Sequence, residues 1–257
     1  MKNFQESKGK EMTKVVISIM IFASLLFSLI IAQLIIVKAD PDGADVVYIT
    51  NSSKVAKTPD NRTDAKGTIT TIFLNTVQQN IRWKAYVGNV SGKLVLRDAE
   101  QYSIYEWPAM ANPDGVIFIT MNQSIDWTTI QCANTSDIQN FQLSLGHSNS
   151  ALDNVNNTFN TKIHQSFDVG VKPFSSNQCW SAFPWVNNSA QTPSTNALFQ
   201  EVLLMDANRR IIFASLIDQD TQSYRNDGTT KYDFQALVPD YTSAENALYY
   251  FYVEISG

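Results

Sequence analysis

Residues 15–37 form the segment that most restricts how this chain can fold. Its sequence, VVISIMIFASLLFSLIIAQLIIV, has no charged residue, and its polar residues are Ser18, Ser24, Ser28 and Gln33. A helix of this length extends about 35 Å at ~1.5 Å per residue, whereas the hydrocarbon core of a bilayer is about 30 Å thick. We therefore predict a single N-terminal transmembrane helix that holds the protein in a membrane.

Two other fates of this segment remain open. A secretory signal has a shorter apolar stretch, of about 7 to 15 residues, yet Val37-Lys38-Ala39 fits a small-residue cleavage site. A pilin-like leader cut near Gly9 would instead leave the apolar helix free to pack into a filament. The charged residues that would follow such a cut, Lys10, Glu11 and Lys14, disfavour this alternative.

The distribution of charge predicts the orientation of the chain and excludes one class of partner. Lysines dominate the charged residues before the apolar run, and the positive-inside rule keeps this end in the cytoplasm. Residues beyond position 38 hold 14 Lys/Arg and 22 Asp/Glu residues, a net charge of −8. An acidic body without basic clusters argues against nucleic-acid binding, which requires positive charge to neutralise phosphates.

Cysteines and glycosylation acceptors also indicate export. Cys132 and Cys179 are the two cysteines of the chain, and an oxidising compartment would allow them to form a disulfide. The alternative is a pair of buried free thiols. Acceptor motifs of the form N-x-S/T occur at Asn51, Asn61, Asn89, Asn122, Asn134, Asn156 and Asn187, moderately more often than chance would give.

The exported part shows the alternation of apolar and polar side chains that is typical of half-buried strands. Residues 40–66 have little periodicity, so we expect a stalk with one short strand at residues 46–50. In IRWKAYVG, the pattern predicts a buried face formed by Ile81, Trp83, Ala85 and Val87. The predicted strands of the domain lie in GTITTIFLNTV, IRWKAYVG, QYSIYEW, GVIFITM, ALFQEVLLMD, RRIIFASLI, YDFQALV and ALYYFYVEI.

Two segments break this pattern and predict short helices. In SDIQNFQLSLG, Ile138, Phe141 and Leu145 fall on one helical face. Ser136 and Gln139 have the spacing of a capping box, and a glycine follows as a stop. The second segment, SALDNVNNTF, spaces its apolar residues in the same way, at Leu152, Val155 and Phe159.

The stretch RWKAYVGNVSGKLVLRD contains two closely spaced glycines, typical either of a phosphate loop or of a hairpin. A phosphate-binding loop opens a helix, but Gly92 is followed by the strand pattern KLVLR. Gly88 and Gly92 instead bracket a short connection in which positive φ angles are needed. We predict a β-hairpin with Asn89 at its exposed tip and with Trp83 and Leu94 on its buried face.

Together with that stretch, the segments IYEW, SIDWTTIQCAN, ALDNVNNTF and YDFQALVPD, and the final YYFYVEI, resemble an uncharacterised family of archaeal exported proteins. Its members share a hydrophobic N-terminal segment, a W-x-x-Y-x-G-N-V-[ST]-G hairpin and a late D-F-Q block. The resemblance covers most of residues 67–255. It implies an archaeal cell-surface location, and it carries over no catalytic residue.

Few residues of the chain suit catalysis. His147 and His164 stand apart from each other and outside any H-E-x-x-H pattern, which disfavours a transition-metal site. No G-x-S-x-G motif occurs, and Cys179 has no protease-like context. We therefore expect no enzyme activity and no cofactor.

One acidic loop and one aromatic segment are candidates for binding. Oxygen ligands that would suit Ca²⁺ concentrate in DQDTQSYRNDG, although their spacing is not that of an EF-hand and a solvated turn is the alternative. These ligands are Asp218, Asp220, Asn226 and Asp227. In CWSAFPWVNNS, aromatic rings flanked by Asn would stack on sugars, or would cover the core beside a disulfide. These rings belong to Trp180, Phe183 and Trp185.

The patterns divide the chain into four parts. They are a cytoplasmic basic segment (1–14), a transmembrane anchor (15–37), a stalk (38–66) and an extracellular domain (67–257). We expect the domain to be mainly β, a β-sandwich-like fold with two short helices. The predicted function is a membrane-anchored structural or adhesive component of an archaeal cell surface. Its expected partners are the membrane, through residues 15–37, and surface glycans or other surface proteins; a carbohydrate-binding module and a pilin-like filament subunit are the alternatives.

Overall fold

The computed structural model describes residues 40–52, 62–67, 69–74, 80–93, 95–98, 100, 102–107, 114–243 and 246–256. The predicted membrane segment, residues 15–37, lies outside them, as do Asn61 and Leu94. Within the described ranges, no helix combines the length and the apolar character that crossing a membrane requires.

The described residues form a mainly β structure with several sheets and two helices, as the sequence predicts. The first strands are β1 (Asp42–Gly43), β2 (Trp83–Gly88), β3 (Val95–Arg97), β4 (Ser103–Glu106), β5 (Asp114–Thr120), β6 (Gln131–Cys132), β7 (Phe167–Val169) and β8 (Lys172–Phe174). The remaining strands are β9 (Ser181–Ala182), β10 (Glu201–Met205), β11 (Ile211–Leu216), β12 (Thr221–Gln222), β13 (Lys231–Tyr232), β14 (Phe234–Pro239) and β15 (Tyr250–Ser256). The helices are α1 (Thr135–Ser144) and α2 (Val155–Thr158), and a 3-10 turn spans Trp127–Thr129.

The largest sheet has seven antiparallel strands in the order β1-β15-β5-β11-β10-β6, with β9 also paired to β10. Three of its inner strands, β5, β10 and β11, are almost continuous apolar runs, and nearly all of their side chains are buried. A strand that is apolar on both faces needs cover on both faces. The rest of the domain supplies that cover in two layers.

One face of this central sheet packs against the two helices and a second, two-stranded sheet. Phe213 of β11 lies at the centre of this layer, with its ring centroid 6.0 Å from that of Phe141 in α1 and 5.7 Å from that of Phe159 after α2. The second sheet pairs β14 with β2, and it contributes Ala236 and Val238 to the same cluster.

The opposite face packs against the β7–β8 hairpin, the disulfide and the 3-10 turn. Phe118 of β5 is fully buried, and its ring centroid lies 5.1 Å from that of Trp127. Phe174 of β8 stacks on Phe167 of β7 with centroids 5.1 Å apart, and Phe174 is buried in this second cluster. Successive side chains of each inner strand point to opposite faces of the sheet, so each strand contributes to both apolar layers.

Two predicted strands near the N-terminal end of the domain are not formed. Residues 46–50 and 69–74 have no strand, and their apolar side chains are exposed, for example Val47 at 95% and Phe73 at 94%. The strand of the predicted stalk is instead β1, where Asp42 and Gly43 pair with β15. The β-branched composition of these segments was misleading because strand propensity depends on a pairing partner, and none of the described strands pairs with them.

The predicted hairpin around Asn89 is wrong in its pairing. β2 pairs with β14 and β3 pairs with β4, so the G-N-V-S-G segment connects strands of two different sheets. Asn89 is exposed, as expected, but Val90 packs on the core and donates its N–H to Asp233 at 2.6 Å. The connection is therefore anchored to the domain beside an exposed asparagine.

The predicted buried face of β2 is correct for Trp83 but not for its neighbours. Ile81 and Ala85 are exposed, whereas Tyr86 packs against Phe251 with ring centroids 5.0 Å apart. The twist of a short two-stranded sheet lets large rings from both sides reach the core.

Both predicted helices are present, with corrections at their ends. The cap of α1 is Asn134, whose side chain accepts the N–H of Asp137 at 2.9 Å, so the expected capping box at Ser136 is wrong by two residues. Before α2, Leu152 is 93% exposed, although Val155 is buried as predicted.

Replacement of Trp83 should test the packing of β2. Its indole N–H donates to the carbonyl of Asp153 at 2.7 Å, and its ring lies 6.3 Å from that of Phe159. We expect Trp83→Ala to lower the free energy of unfolding by about 2 to 4 kcal/mol. Asn89→Gln, at the exposed position that directly follows β2, should change the free energy of unfolding by less than about 0.5 kcal/mol. Urea unfolding of both variants would measure the difference, and equal losses would contradict the packing described above.

Candidate functional site

The two polar side chains of the D-F-Q block, residues 233–235, bind backbone groups of three loops at one end of the β14–β2 sheet. Asp233 is buried, and its two carboxylate oxygens accept the N–H groups of Val90 and Asp220 at 2.6 and 2.7 Å. Gln235 is also buried; its side chain accepts the N–H of Tyr224 at 2.7 Å and donates to the carbonyl of Trp185 at 3.2 Å. Three loops distant in sequence thereby converge on one short strand.

A tight turn binds the loop that carries Trp185 to the loop that carries Tyr224. Val186 and Ser189 exchange backbone hydrogen bonds of 3.0 and 2.9 Å across Asn187 and Asn188, whose φ angles are +51° and +56°. Two consecutive positive φ angles define a type I′ turn, and asparagine tolerates that region better than other side chains. The N–H groups of both asparagines donate to the carbonyls of Ser223 and Tyr224, just after β12, at 2.9 and 2.7 Å.

The convergence of these loops places two aromatic side chains at the surface. Trp185 is 55% exposed and Tyr224 is 42% exposed, while their backbones share the Gln235 side chain as a hydrogen-bond partner. Arg225 lies beside Tyr224, with its guanidinium 5.9 Å from the ring centroid. A rigid backbone that carries exposed rings next to amide and guanidinium groups is suited to contact a partly apolar, hydroxyl-rich ligand.

The three aromatic residues predicted as a sugar platform do not share one environment. Trp180 is half-buried against the core, and the Lys162 ammonium lies 4.8 Å from its ring centroid. Phe183 is partly buried, and Trp185 alone of the three is largely exposed. Sequence reasoning missed Tyr224 because it lies 39 residues further along the chain, and only tertiary contacts bring its loop to that of Trp185.

The acidic loop of residues 218–227 uses its carboxylates in separate contacts. Asp218 accepts the N–H of Phe199 and is largely shielded, and burial raises the pKa of its carboxyl. Asp220 forms an exposed ion pair with Lys231 at 3.2 Å. These two carboxylates therefore interact with different residues.

Asp227 closes the turn of the same loop. Its carboxylate accepts the N–H groups of Thr229 and Thr230 at 3.0 and 2.8 Å, and hydrogen bonds from Thr230 hold the pKa of this carboxyl well below its usual range. This is the side-chain-to-backbone pattern of an ordinary turn. Among the described residues, no group of three or more His, Cys, Asp or Glu side chains is arranged to hold a metal ion. The calcium site predicted at Asp218, Asp220 and Asp227 therefore has no matching arrangement of ligands among the described residues and stays a prediction.

The two cysteines form a disulfide, as the sequence predicts. Cys132 lies in β6, Cys179 precedes β9, and their Cα atoms are 5.0 Å apart across a separation of 47 residues. Both flanking strands pair with β10, so the disulfide ties together the segments that cover one edge of the central sheet. Closing a loop of this length stabilises the fold by about 4 kcal/mol in the chain-entropy model.

His164 supports the disulfide loop in its neutral form. Its Nε2 accepts two backbone N–H groups, from Gln178 at 3.0 Å and Cys179 at 2.9 Å, while Nδ1 lies 2.6 Å from the carbonyl of Gln165. This arrangement requires the proton on Nδ1 and a lone pair on Nε2. Burial lowers the pKa of the His164 imidazole below its ordinary value, although the hydrogen bond to Gln165 acts in the opposite direction.

Glu201 is a buried carboxyl between the two sheets. It is inaccessible to solvent, and its Oε2 accepts the N–H of Leu237 in β14 at 2.8 Å. Burial raises the pKa of this carboxyl well above its ordinary value, which favours the protonated form. Ser215, opposite Glu201 in the register of β10 and β11, donates its hydroxyl to the carbonyl of Gln235 at 3.1 Å. These two side chains attach the β14–β2 sheet to the central sheet.

The predicted glycosylation acceptors differ in accessibility. Exposed positions within the described residues are Asn51, Asn89, Asn134 and Asn187, and half-buried ones are Asn122 and Asn156. Asn134 is exposed but occupied, since its amide donates to Asp137 at 2.5 Å while capping α1. A glycan on that nitrogen would compete with the cap, so the other exposed acceptors are better suited to modification.

Comparison with protein-family models, with curated proteins and with solved structures finds no match.

The contacts of His164 make stability depend on pH. A folded-state pKa below the ordinary 6.5 means that the unfolded chain takes up a proton first as the pH falls. The contribution of His164 is therefore complete above about pH 6.5 and decreases as the pH falls below it.

Replacement of His164 by leucine would isolate this contribution. His164→Leu leaves two N–H groups unpaired and should lower the free energy of unfolding at pH 7.5 by about 1 to 3 kcal/mol. The difference from the unmodified protein should shrink at pH 5, as measured by urea unfolding at both pH values. A difference that grows on acidification would contradict the assigned tautomer.

Proposed function

We propose that this protein is a structural or adhesive component of an archaeal cell surface, held in the membrane by residues 15–37 and without catalytic activity. The observation that carries the proposal is the concentration of exposed apolar side chains in one stretch of the sequence, residues 46–107, whereas residues 114–256 are well packed. Of the large apolar side chains exposed in the described residues, fourteen lie within residues 46–107 and six within residues 114–256. Exposed apolar side chains in such number mark a place of interaction.

The disulfide supports an exported location. Disulfides persist in oxidising compartments and are rare in the cytosol of most organisms. The exposed acceptor residues Asn51, Asn89 and Asn187 lie on the same domain, where glycans would face solvent. Both features suit an extracellular domain that follows a membrane anchor.

The packing of the two sheets supports a β-sandwich-like description of the domain. β14 and β2 lie over one face of the central sheet, with Ala236 and Val238 in the same cluster as Ile117, Leu203 and Phe213. The helices share this face, and the resulting layered body is suited to mechanical and adhesive roles, which require a stable scaffold and exposed loops.

Determination of the native N-terminus would test the anchor. We expect an intact N-terminus in the membrane fraction, because residues 15–37 are long enough to span the bilayer. Mass spectrometry of protein isolated from its own cells would measure this. A soluble chain that starts near Asp40 would show a cleaved signal, and a chain cut before Val15 would show a processed leader.

Protease treatment of intact cells would test the orientation of the same anchor. Since the lysines precede the apolar run, the chain beyond Lys38 should be digested and residues 1–14 protected. Digestion restricted to residues 1–14 would reverse the orientation and remove the argument for export.

A second candidate function is carbohydrate binding, and the exposure of Trp185 beside Tyr224 favours it. The two rings project from loops fixed by Gln235, and the Asn187–Asn188 turn lies next to them. Aromatic faces pack on the C–H surfaces of sugar rings, while amides and guanidinium groups bind hydroxyls. We propose this surface, rather than the Trp180 to Trp185 segment as a whole, as the place of contact.

Affinity electrophoresis in gels that contain soluble neutral polysaccharides would test the second candidate. Trp185→Ala should weaken retardation about tenfold, equivalent to about 1.4 kcal/mol, because it removes one stacking face. Leu152→Ala, at another highly exposed apolar position, is the matched control and should change nothing. Unchanged retardation of Trp185→Ala, or no retardation of the unmodified protein, would reject this function.

A further inference from the structure

The turn between Val186 and Ser189 carries a glycosylation acceptor beside an exposed ring. Asn187, Asn188 and Ser189 form an N-x-S motif, and all three residues are exposed. Trp185 is 55% exposed and precedes the acceptor Asn187 by two positions. The other six acceptors of the chain have a residue without an aromatic ring at that position, namely Ile49, Pro59, Val87, Thr120, Cys132 and Asn154. An aromatic ring therefore accompanies the site of attachment at Asn187 alone.

The side chain of Asn187 is available for modification. Among the described residues, its amide group takes part in no hydrogen bond, whereas the amide of Asn134 donates to Asp137 while capping α1. The hydroxyl of Ser189 donates to the carbonyl of Asn187 at 3.4 Å, which is a contact within the turn itself. A glycan on the Asn187 nitrogen would therefore displace no contact of the fold.

The same hydrogen bonds hold the point of attachment and the neighbouring rings in place. The N–H of Asn188 donates to the carbonyl of Tyr224 at 2.7 Å. The side chain of Gln235 binds the backbones of Tyr224 and Trp185. Because the two loops are already fixed, a sugar that packs on their rings does not have to order them, and less of the binding free energy is lost to entropy.

A short glycan on Asn187 is long enough to reach these rings. The Cα atoms of Trp185 and Asn187 are separated by two residues and so lie at most about 7 Å apart. The asparagine side chain and one or two sugar units span such a distance. Tyr224 lies on the other side of the turn, and the guanidinium of Arg225 is 5.9 Å from its ring centroid. The surface thus offers two rings and a cationic hydrogen-bond donor within reach of the glycan.

We propose that a glycan attached to Asn187 folds back on Trp185 and Tyr224 and covers both rings. The apolar C–H face of a sugar packs on the indole, and sugar hydroxyls accept hydrogen bonds from the Arg225 guanidinium. The inference rests on the proposed exported location, because N-x-S/T acceptors are modified in exported chains. It also names the ligand of this surface as a sugar of the chain itself, which competes with the outside polysaccharide of the second candidate function.

Hydroxyl-radical footprinting of the full chain, isolated in detergent from its own cells, would test this contact. Ser189→Ala removes the acceptor motif but keeps Asn187 in the turn. We expect oxidation of Trp185 to rise about threefold in Ser189→Ala, because a sugar no longer covers the exposed ring. Ser189→Thr retains an acceptor motif and should restore the protection of Trp185. Trp107, which is 46% exposed and follows β4, should be oxidised equally in all of these proteins.

A second acceptor supplies the matched control. Ser91→Ala removes the motif at the exposed Asn89 and should leave the oxidation of Trp185 unchanged. Glycopeptide mass spectrometry of the same samples identifies the modified acceptors. An unmodified Asn187, or equal oxidation of Trp185 in Ser189→Ala and in the unmodified protein, would overturn the inference. A glycan at Asn89 would in that case leave the exported location standing, whereas failure of the exported location would appear as a domain protected from protease on intact cells.

Discussion

The burial of the central sheet on both faces is the constraint on which the rest of the structure depends. β5, β10 and β11 place large apolar side chains alternately above and below, so neither face tolerates water. The helices and the β14–β2 sheet cover one face, and the β7–β8 hairpin with the disulfide covers the other. Each of these elements is short, and each derives its stability mainly from the layer it completes.

Polar groups between the layers fix where the surface loops lie. Glu201 and Ser215 project from inner strands and bind backbone groups of β14, which places that strand. Asp233 and Gln235, at the start of β14, then gather three loops by binding their backbones. The exposed position of Trp185 thus follows from contacts that begin in the core. Such buried polar contacts specify one arrangement, because each unpaired alternative would leave a buried group unsatisfied.

Local patterns in the sequence predicted most elements but not their partners. A window of ten residues is enough to predict the apolar strands that contain Phe118 and Phe213. The same holds for the helical face that contains Ile138. Pairing is different: β2 bonds to β14 about 150 positions later, and no short-range feature distinguishes this from a hairpin with the next strand. The cysteine pair was predictable because the chain has two cysteines. The aromatic surface was predicted in part, since only tertiary contacts bring the loop of Tyr224 to the loop of Trp185.

The position of β15 has a consequence for the order of events in folding. This strand, formed by residues 250–256, lies between β1, near residue 42, and β5. The sheet therefore cannot close until residues 250–256 have been synthesised. Closure of such distant segments is slow compared with local pairing, and in the interval β5 offers an open, highly apolar edge. A chaperone that covered that edge during this interval would raise the yield of folded protein.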